Sequence, residues 1–88
     1  MDDRRYHTKR WRKLARWVVA RDGYQCSIAG CQSDMRQPGI ATADHIKEPR
    51  DGGDFWDPHN LRALCRPHNL AKGIATTAHQ REPTSPNA

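Results

Sequence analysis

The sequence predicts a small α+β domain with an amphipathic basic helix, a two-stranded hairpin and a second helix. The chain has 88 residues, of which 35% are hydrophobic and 28% are charged, so it can form one domain with a small apolar core. Apolar residues recur with a helical period near the N-terminus, and two short Cys/His pairs flank a long central segment. A domain this small usually needs disulfides, a metal ion or a partner to stay folded.

The first predicted helix covers residues 8–21. Its apolar side chains are spaced so that they share one helix face: Trp11, Leu14, Ala15, Val18 and Val19. Thr8 is suited to cap the start of this helix, and Asp22-Gly23 is suited to end it. We interpret the stripe as core rather than as a ligand-binding surface, and expect Trp17 to widen the packed face.

Positive charge is concentrated in the same region. The net charge is +5, yet residues 1–21 hold eight basic and two acidic side chains, whereas residues 22–88 hold seven basic and eight acidic ones. A basic arm on a nearly neutral body favours a polyanion such as DNA, because Lys and Arg release counterions from phosphates. The alternative is an ordinary solvated helix face. The candidate DNA contacts here are Arg4, Arg5, Lys9, Arg10, Arg12, Lys13 and Arg16.

A short hairpin is predicted in the central segment. Residues 41–47 favour a strand, residues 51–54 a turn, and residues 55–60 a returning strand that Pro58 limits. Residues 44–57 carry five acidic and two basic side chains. This local excess of acid indicates either a divalent-cation site or a polar hairpin loop.

The second predicted helix begins at Arg66, has Pro67 in its first turn and ends near Ala78. Residues 79–88 have little to bury, so we expect them to be disordered. The predicted organisation is thus a basic arm over residues 1–7, a domain over residues 8–78 and a short tail.

The sequence gives no indication of a membrane segment. It contains no run of 18 apolar residues, and its N-terminus lacks the apolar region and cleavage site of a signal peptide. We therefore expect a cytoplasmic protein without a membrane partner. In that compartment thiols stay reduced, so three Cys residues favour metal binding over a disulfide framework.

Two ligand pairs predict a structural zinc site. Four residues separate Cys26 from Cys31, and two residues separate Cys65 from His68. Paired ligands at such spacings bind Zn²⁺ tetrahedrally, and a site filled by three Cys and one His leaves no position for a substrate. The alternative is three unrelated buried thiols. The intervening 33 residues are too many for a C₂H₂ finger, so a hairpin is expected between the pairs.

The segment between the ligand pairs carries the motif Asp44-His45-Ile46, then Gly52-Gly53, then Asn60-Leu61-Arg62-Ala63-Leu64-Cys65, followed by His68-Asn69 and Lys72. In this order the chain resembles the HNH endonuclease family, as an HNN variant of the phage type with a zinc knuckle. Residues 21–26 are also similar to the family, and the resemblance covers about residues 12–74. It implies a ββα-metal, treble-clef-like hairpin and helix.

The resemblance also implies residue roles. His45 would be the general base that activates water, and Asp44 and Asn69 would bind a catalytic divalent cation such as Mg²⁺, Mn²⁺ or Ni²⁺. Asn60 would hold the hairpin and orient the backbone at His45. The remaining candidate phosphate contacts are Arg62 and Lys72.

One alternative register concerns His68. It would make His68 the final residue of the catalytic motif, in place of Asn69. That register is disfavoured because it leaves zinc with three protein ligands and breaks the spacing to Lys72.

Two functions are therefore expected. The first is metal-dependent hydrolysis of DNA phosphodiesters by a monomer or weak dimer in a bacterial host, with phage packaging proteins (terminase) as possible partners implied by the resemblance. The second is a non-catalytic, zinc-stabilised module that binds nucleic acid. Only the first accounts for Asp44, His45, Asn60 and Asn69 standing in order between the zinc-ligand pairs.

Overall fold

A computed structural model describes residues 3–78, with side chains described as far as residue 73. The predicted disordered tail lies outside these residues. Four main elements follow one another: helix α1 (Lys9–Arg21), strand β1 (Ala41–His45), strand β2 (Leu61–Cys65) and helix α2 (Arg66–Ala78). Three short 3₁₀ turns accompany them, at Arg4–His7, Pro49–Asp51 and Pro58–Asn60. The predicted small α+β fold with one hairpin and two helices is confirmed at this level.

Helix α1 begins and ends where its capping residues predict. The Thr8 side chain accepts a hydrogen bond from the backbone N–H of Trp11 at 3.1 Å, which satisfies a free donor of the first turn. Asp22 follows the last turn, and Gly23 then adopts a φ of 71° that reverses the chain. Trp17 does not widen the packed face as expected: it remains 53% exposed because it lies to one side of the buried stripe.

The hairpin is antiparallel, and Ala41 pairs with Cys65 at one end while His45 pairs with Leu61 at the other. The prediction of a returning strand over residues 55–60 is wrong, because the strand begins only at Leu61. Pro58 has no N–H for a ladder and opens a 3₁₀ turn that the Asp57 side chain caps. Strand β1 likewise ends at His45, two residues before its predicted end.

The sheet separates two layers. Alternate residues of β1 and β2 face α1, and the others face α2, because side chains alternate across a strand. On the α1 side, Ala43 and Leu61 pack with Trp11, Val18 and Phe55 in the larger apolar cluster. On the α2 side, the Thr42 hydroxyl accepts a hydrogen bond from Asn69, and the Asp44 carboxylate pairs with Lys72. The α1 face is therefore mainly apolar, whereas the α2 face carries polar side chains beside the buried Leu64.

A second apolar cluster supports the loop between α1 and β1. It contains Val19, Met35, Ala63 and Cys65, with Ile40 packed against it. This loop brings Met35 to 2% exposure, so part of the irregular segment contributes to the core.

Candidate functional site

The four predicted zinc ligands converge on one point. Their ligand atoms, from Cys26, Cys31, Cys65 and His68, all lie within 4.8 Å of one another. A tetrahedral zinc site separates two sulfurs by about 3.8 Å, and a sulfur from a nitrogen by about 3.5 Å, given its usual bond lengths. The Sγ atoms of Cys31 and Cys65 are 3.8 Å apart, and Cys26 Sγ is 3.6 Å from His68 Nδ1. Cys65 Sγ and His68 Nδ1 lie closer, at 3.1 Å. The group can therefore hold a metal ion such as zinc.

Backbone hydrogen bonds bring the two ligand pairs together. The N–H and hydroxyl of Ser27 both donate to the Ala63 carbonyl, at 3.0 and 2.7 Å. The N–H of Cys65 donates to Cys26 Sγ at 3.3 Å. His68 follows on the first turn of α2, which begins directly after Cys65. The loop after α1 is thus fastened to β2 at the ligand positions.

The environment of the Cys31 thiol favours its ionised form. Hydrogen bonding with Ser33 lowers the pKa of Cys31 to about 6, whereas burial raises the pKa of the Cys26 thiol. A thiolate is the form that coordinates a metal, so the lowered pKa of Cys31 favours metal binding by this residue.

His45 lies at the end of β1 on the side of α1 and is only 2% exposed. Its ring stacks on the indole of Trp11, with centroids 5.4 Å apart and planes 24° apart. The His45 Nε2 atom is 3.0 Å from the carbonyl of Phe55, and Nδ1 is 3.2 Å from the hydroxyl of Tyr6. Because a carbonyl only accepts hydrogen bonds, Nε2 carries the proton in this arrangement and Nδ1 is the basic nitrogen.

Sequence reasoning missed Tyr6 and Phe55 as neighbours of His45. Tyr6 belongs to the basic arm, whose predicted role depends only on its charged residues. It also contacts the rings of Trp11 and Phe55. The one available signal was an aromatic residue within a charged segment. Burial, then the nearby carboxylates of Glu48 and Asp3, raise the pKa of Tyr6, so its hydroxyl keeps its proton at neutral pH.

Asp44 lies on the opposite face of β1, beneath α2. The register is continuous from Ala41 to His45, so Asp44 and His45 point to different sides, and β1 contains no bulge that would bring them together. The Asp44 carboxylate is buried and pairs with Lys72 at 2.8 Å and with Arg62 at 3.2 Å. The two predicted phosphate contacts, Arg62 and Lys72, are thus ion-paired within the protein.

Asn60 joins the two ends of the hairpin loop. Its amide group accepts a hydrogen bond from the Lys47 N–H and donates to the carbonyls of Lys47 and Asp54, at 2.9 to 3.0 Å. Its own carbonyl accepts from the Ile46 N–H at 2.8 Å. A Cβ added to Gly53 would overlap the Lys47 carbonyl and lie 2.9 Å from Asn60 Nδ2. Asn60 and Gly53 therefore set the loop geometry directly after His45.

Asn69 faces the same side of β1 as Asp44. Its Nδ2 donates a hydrogen bond to the Thr42 hydroxyl at 2.9 Å, so the amide oxygen is the atom that could coordinate a cation. Glu48, which sequence reasoning did not assign, approaches the same region and pairs with Lys72 at 3.0 Å.

The basic side chains of the N-terminal region are exposed to solvent. On α1, the helical period places Lys9, Arg12, Lys13 and Arg16 on the face opposite the buried stripe. Three further candidate DNA contacts lie nearby. Arg4 and Arg5 belong to the first 3₁₀ turn, and Arg5 lies over the ring of Phe55. Arg10 lies over the ring of Trp56. Arg21 differs, because its guanidinium is bound by Asp22 and by the carbonyls of Pro58 and Leu61.

Among the described residues, no helix has the length and apolar character needed to cross a membrane. Comparisons with protein-family models, with curated proteins and with solved structures found no match to this chain.

Proposed function

We propose that this chain is a metal-dependent HNH endonuclease that hydrolyses DNA phosphodiester bonds. The observation that carries the proposal lies at the end of β1: His45, whose Nε2 is held by a carbonyl, directly follows a buried carboxylate that pairs with a cationic side chain on the other face of the strand. Asn60 and Gly53 fix the hairpin loop that follows His45. The exposed cationic face of α1 lies across the sheet from α2. Together these features match the order of the Asp44, His45, Asn60 and Asn69 motif.

In this proposal the Cys₃His group holds a structural zinc ion. All four ligand positions are filled by protein atoms, so the ion serves the fold rather than the reaction. It joins the loop after α1 to the start of α2, which gives the hairpin and helix the proposed ββα-metal, treble-clef-like arrangement. Zinc binding then supplies stability that the small apolar clusters cannot.

His45 would act as the general base. The Phe55 carbonyl holds its Nε2–H, which fixes the tautomer and leaves Nδ1 to accept a proton from water. Stacking on Trp11 and burial keep the ring in one orientation. In the DNA-free protein the Tyr6 hydroxyl is hydrogen-bonded to Nδ1. The reacting water would replace the Tyr6 hydroxyl at this nitrogen.

Asp44 and Asn69 would hold the catalytic divalent cation, Mg²⁺ or an ion such as Mn²⁺ or Ni²⁺. The donor set fits a hard cation, since a carboxylate and an amide supply oxygen ligands, and such an ion would have to displace Lys72 and Arg62 from Asp44. When bound, such an ion supplies positive charge that stabilises the phosphorane-like transition state and the leaving oxygen. Asp44 and Asn69 position it, and Asn60 keeps the strand end in register.

The exposed face of α1 would bind the DNA backbone. Lys9 and Lys13, and likewise Arg12 and Arg16, are like charges four residues apart, which costs an isolated helix about 0.2–0.5 kcal/mol per pair. A phosphate backbone removes that repulsion and releases counterions. With DNA as the substrate, the protein acts in the bacterial cytoplasm, as a monomer or weak dimer, and packaging proteins of a phage would direct it.

Plasmid cleavage tests the proposal. Zinc-loaded wild-type protein is incubated with supercoiled plasmid and Mg²⁺, Mn²⁺ or Ni²⁺, beside His45→Ala and the matched control His59→Ala. The His59 side chain is 95% exposed, so its removal leaves the fold and activity intact. We expect nicking by wild type and His59→Ala and loss of nicking in folded His45→Ala, by at least about 100-fold. Absence of cleavage by wild type with every ion would refute the nuclease.

A second candidate, a non-catalytic zinc module that binds nucleic acid, is favoured by one observation. Both ring nitrogens of His45 and both oxygens of Asp44 already have protein partners. Salt-sensitive DNA binding without cleavage in the same experiment would establish this alternative.

A further inference from the structure

The Lys72 ammonium is surrounded by oxygen atoms from the segment that follows Ala43. It lies 2.9 and 2.8 Å from the two carboxylate oxygens of Asp44, 3.0 Å from the His45 carbonyl and 3.0 Å from Glu48 Oε2. Its side chain is only 26% exposed. A single positive group thus joins two carboxylates and a backbone carbonyl at one position.

This set of donors is the kind that hard cations prefer. Mg²⁺ and Mn²⁺ bind carboxylate and carbonyl oxygens, and two nearby carboxylates repel each other unless a cation lies between them. In the structure that cation is the Lys72 ammonium, since it contacts both Asp44 and Glu48. An ion that binds Asp44 would meet the same oxygens and the same ammonium.

We propose that Lys72 and a divalent cation compete for one position, with Asp44, Glu48 and the His45 carbonyl as shared ligands. The inference rests on the proposed function only in that it places a divalent cation on Asp44. Lys72 is the resident cation of the metal-free protein, and the metal ion displaces it. Glu48 thereby becomes a metal ligand that the sequence motif does not include. The released ammonium, carried by α2, is then available to a substrate phosphate.

Direct measurement of metal binding tests this exchange without any reaction. Mn²⁺ is titrated into zinc-loaded protein without DNA, and free Mn²⁺ is followed by electron paramagnetic resonance. Lys72→Met keeps the length of the side chain and removes its charge, and Lys13→Met removes the same charge on exposed α1. We expect Lys72→Met to bind Mn²⁺ at least tenfold more tightly than wild type, and Lys13→Met to differ by less than twofold. Equal or weaker binding by Lys72→Met overturns the proposal, as does a complete lack of Mn²⁺ binding in both proteins.

A further pair of variants tests the ligand set. Glu48→Gln in the Lys72→Met background should lose at least tenfold in Mn²⁺ affinity, because a charged ligand becomes neutral. Unchanged affinity would exclude Glu48 from the site.

Wild-type protein provides a measurement that needs no folded variant. On titration with Mg²⁺, the NMR signals of the Lys72 side-chain Cε and Nζ should shift and saturate together with the Asp44 carboxylate signal. Lys72 signals that stay in place while Asp44 saturates would overturn the exchange. Plasmid cleavage separates this result from the nuclease assignment. If wild type cleaves plasmid but Lys72→Met does not bind Mn²⁺ more tightly, the nuclease assignment stands and the exchange is refuted. If Lys72→Met binds Mn²⁺ more tightly but wild type does not cleave, the exchange stands and the nuclease assignment is refuted.

Discussion

The Tyr6 hydroxyl donates a hydrogen bond to Nδ1 of His45 over 3.2 Å, while the opposite ring nitrogen of His45 is held by the Phe55 carbonyl. Tyr6 is 37% exposed, and His45 is buried. The tyrosine therefore lies between the proposed general base and solvent. A residue of the basic arm thus contacts the nitrogen on which the proposed hydrolysis depends.

Tyr6→Phe should increase DNA cleavage. It keeps the ring packed on Trp11 and Phe55 but frees Nδ1 for water. A neutral hydrogen bond is worth about 0.5–1.5 kcal/mol, which corresponds to an increase of about two- to tenfold in the cleavage rate. The rate is measured on supercoiled plasmid at saturating Mg²⁺, with Tyr24→Phe as a control that leaves it unchanged. Slower cleavage by a Tyr6→Phe variant with intact DNA binding would instead make Tyr6 a group that orients His45.

Removal of the metal ion should unfold the domain. Structural zinc contributes about 10–16 kcal/mol of apparent free energy in small domains, which is comparable to the whole stability of a typical domain, about 5–15 kcal/mol. Cys65→Ser, or a strong chelator added to wild type, should abolish the cooperative thermal transition measured by circular dichroism. Mass spectrometry under native conditions should find one zinc ion per wild-type chain. A melt that neither the substitution nor the chelator changes would contradict the zinc assignment.

Two glycine substitutions should have opposite effects on stability. Gly53→Ala places a Cβ against the Lys47 carbonyl and the Asn60 amide, so the backbone must move. This movement disturbs the Asn60 hydrogen bonds that fix the loop after His45. We expect a loss of about 2 kcal/mol or more in the free energy of unfolding. Gly73→Ala, within α2, adds a Cβ that has no described atom outside its own helix backbone within 4 Å, and should gain about 0.5–1 kcal/mol. Urea denaturation measures both, and equal changes in the two variants would show that the contact at Gly53 does not matter.

Asp22 should stabilise the fold at neutral pH. Its carboxylate pairs with Arg21 and accepts the Ala63 N–H at 2.8 Å, and Arg21, followed by this N–H, holds the pKa of Asp22 below its usual value. A lowered pKa in the folded state means that the stabilisation is complete above the unfolded-state pKa, about 3.9, and is lost as the pH falls through the folded-state value.

Asp22→Asn should therefore cost about 1–3 kcal/mol at pH 7. The difference from wild type should stay constant down to about pH 5 and shrink only below about pH 4, the range set by the unfolded-state pKa. Urea denaturation with excess zinc at each pH measures this, and Asp34→Asn on the surface is the control. A difference that is already lost at pH 6 would exclude the carboxylate as its source.

Neutralising the outer face of α1 should weaken DNA binding and stabilise the protein. In the triple variant Lys9→Gln, Lys13→Gln and Arg16→Gln, the slope of log affinity against log salt should fall by up to about 2.7, the value for three phosphate contacts. The thermal midpoint should rise slightly, because like-charge pairs within the helix disappear. Arg50→Gln, on the exposed hairpin turn, serves as the control. A variant with wild-type salt dependence would show that DNA does not lie along this face.

Features that depend on neighbouring residues can be predicted from the amino-acid sequence alone. Helix α1 follows from its apolar period, its Thr8 cap and the stop at Asp22-Gly23, and the zinc-ligand group follows from two short spacings. Each of these features depends on interactions within a few residues, so it can be predicted from the local sequence. The predicted returning strand over residues 55–60 is wrong because the segment contains Pro58, whose effect on register depends on the turn that forms around it.

Which groups meet at the site depends on the packing of segments that are distant in sequence. The Tyr6 hydroxyl and His45 are 39 residues apart in sequence, and Lys72 and Asp44 are 28 residues apart. Their contacts arise because the two faces of β1 are covered by different helices, so that a regular strand sends His45 into the aromatic layer and Asp44 into the polar one. A strand pattern predicts this alternation but not which partners cover each face, since packing between distant segments makes that choice.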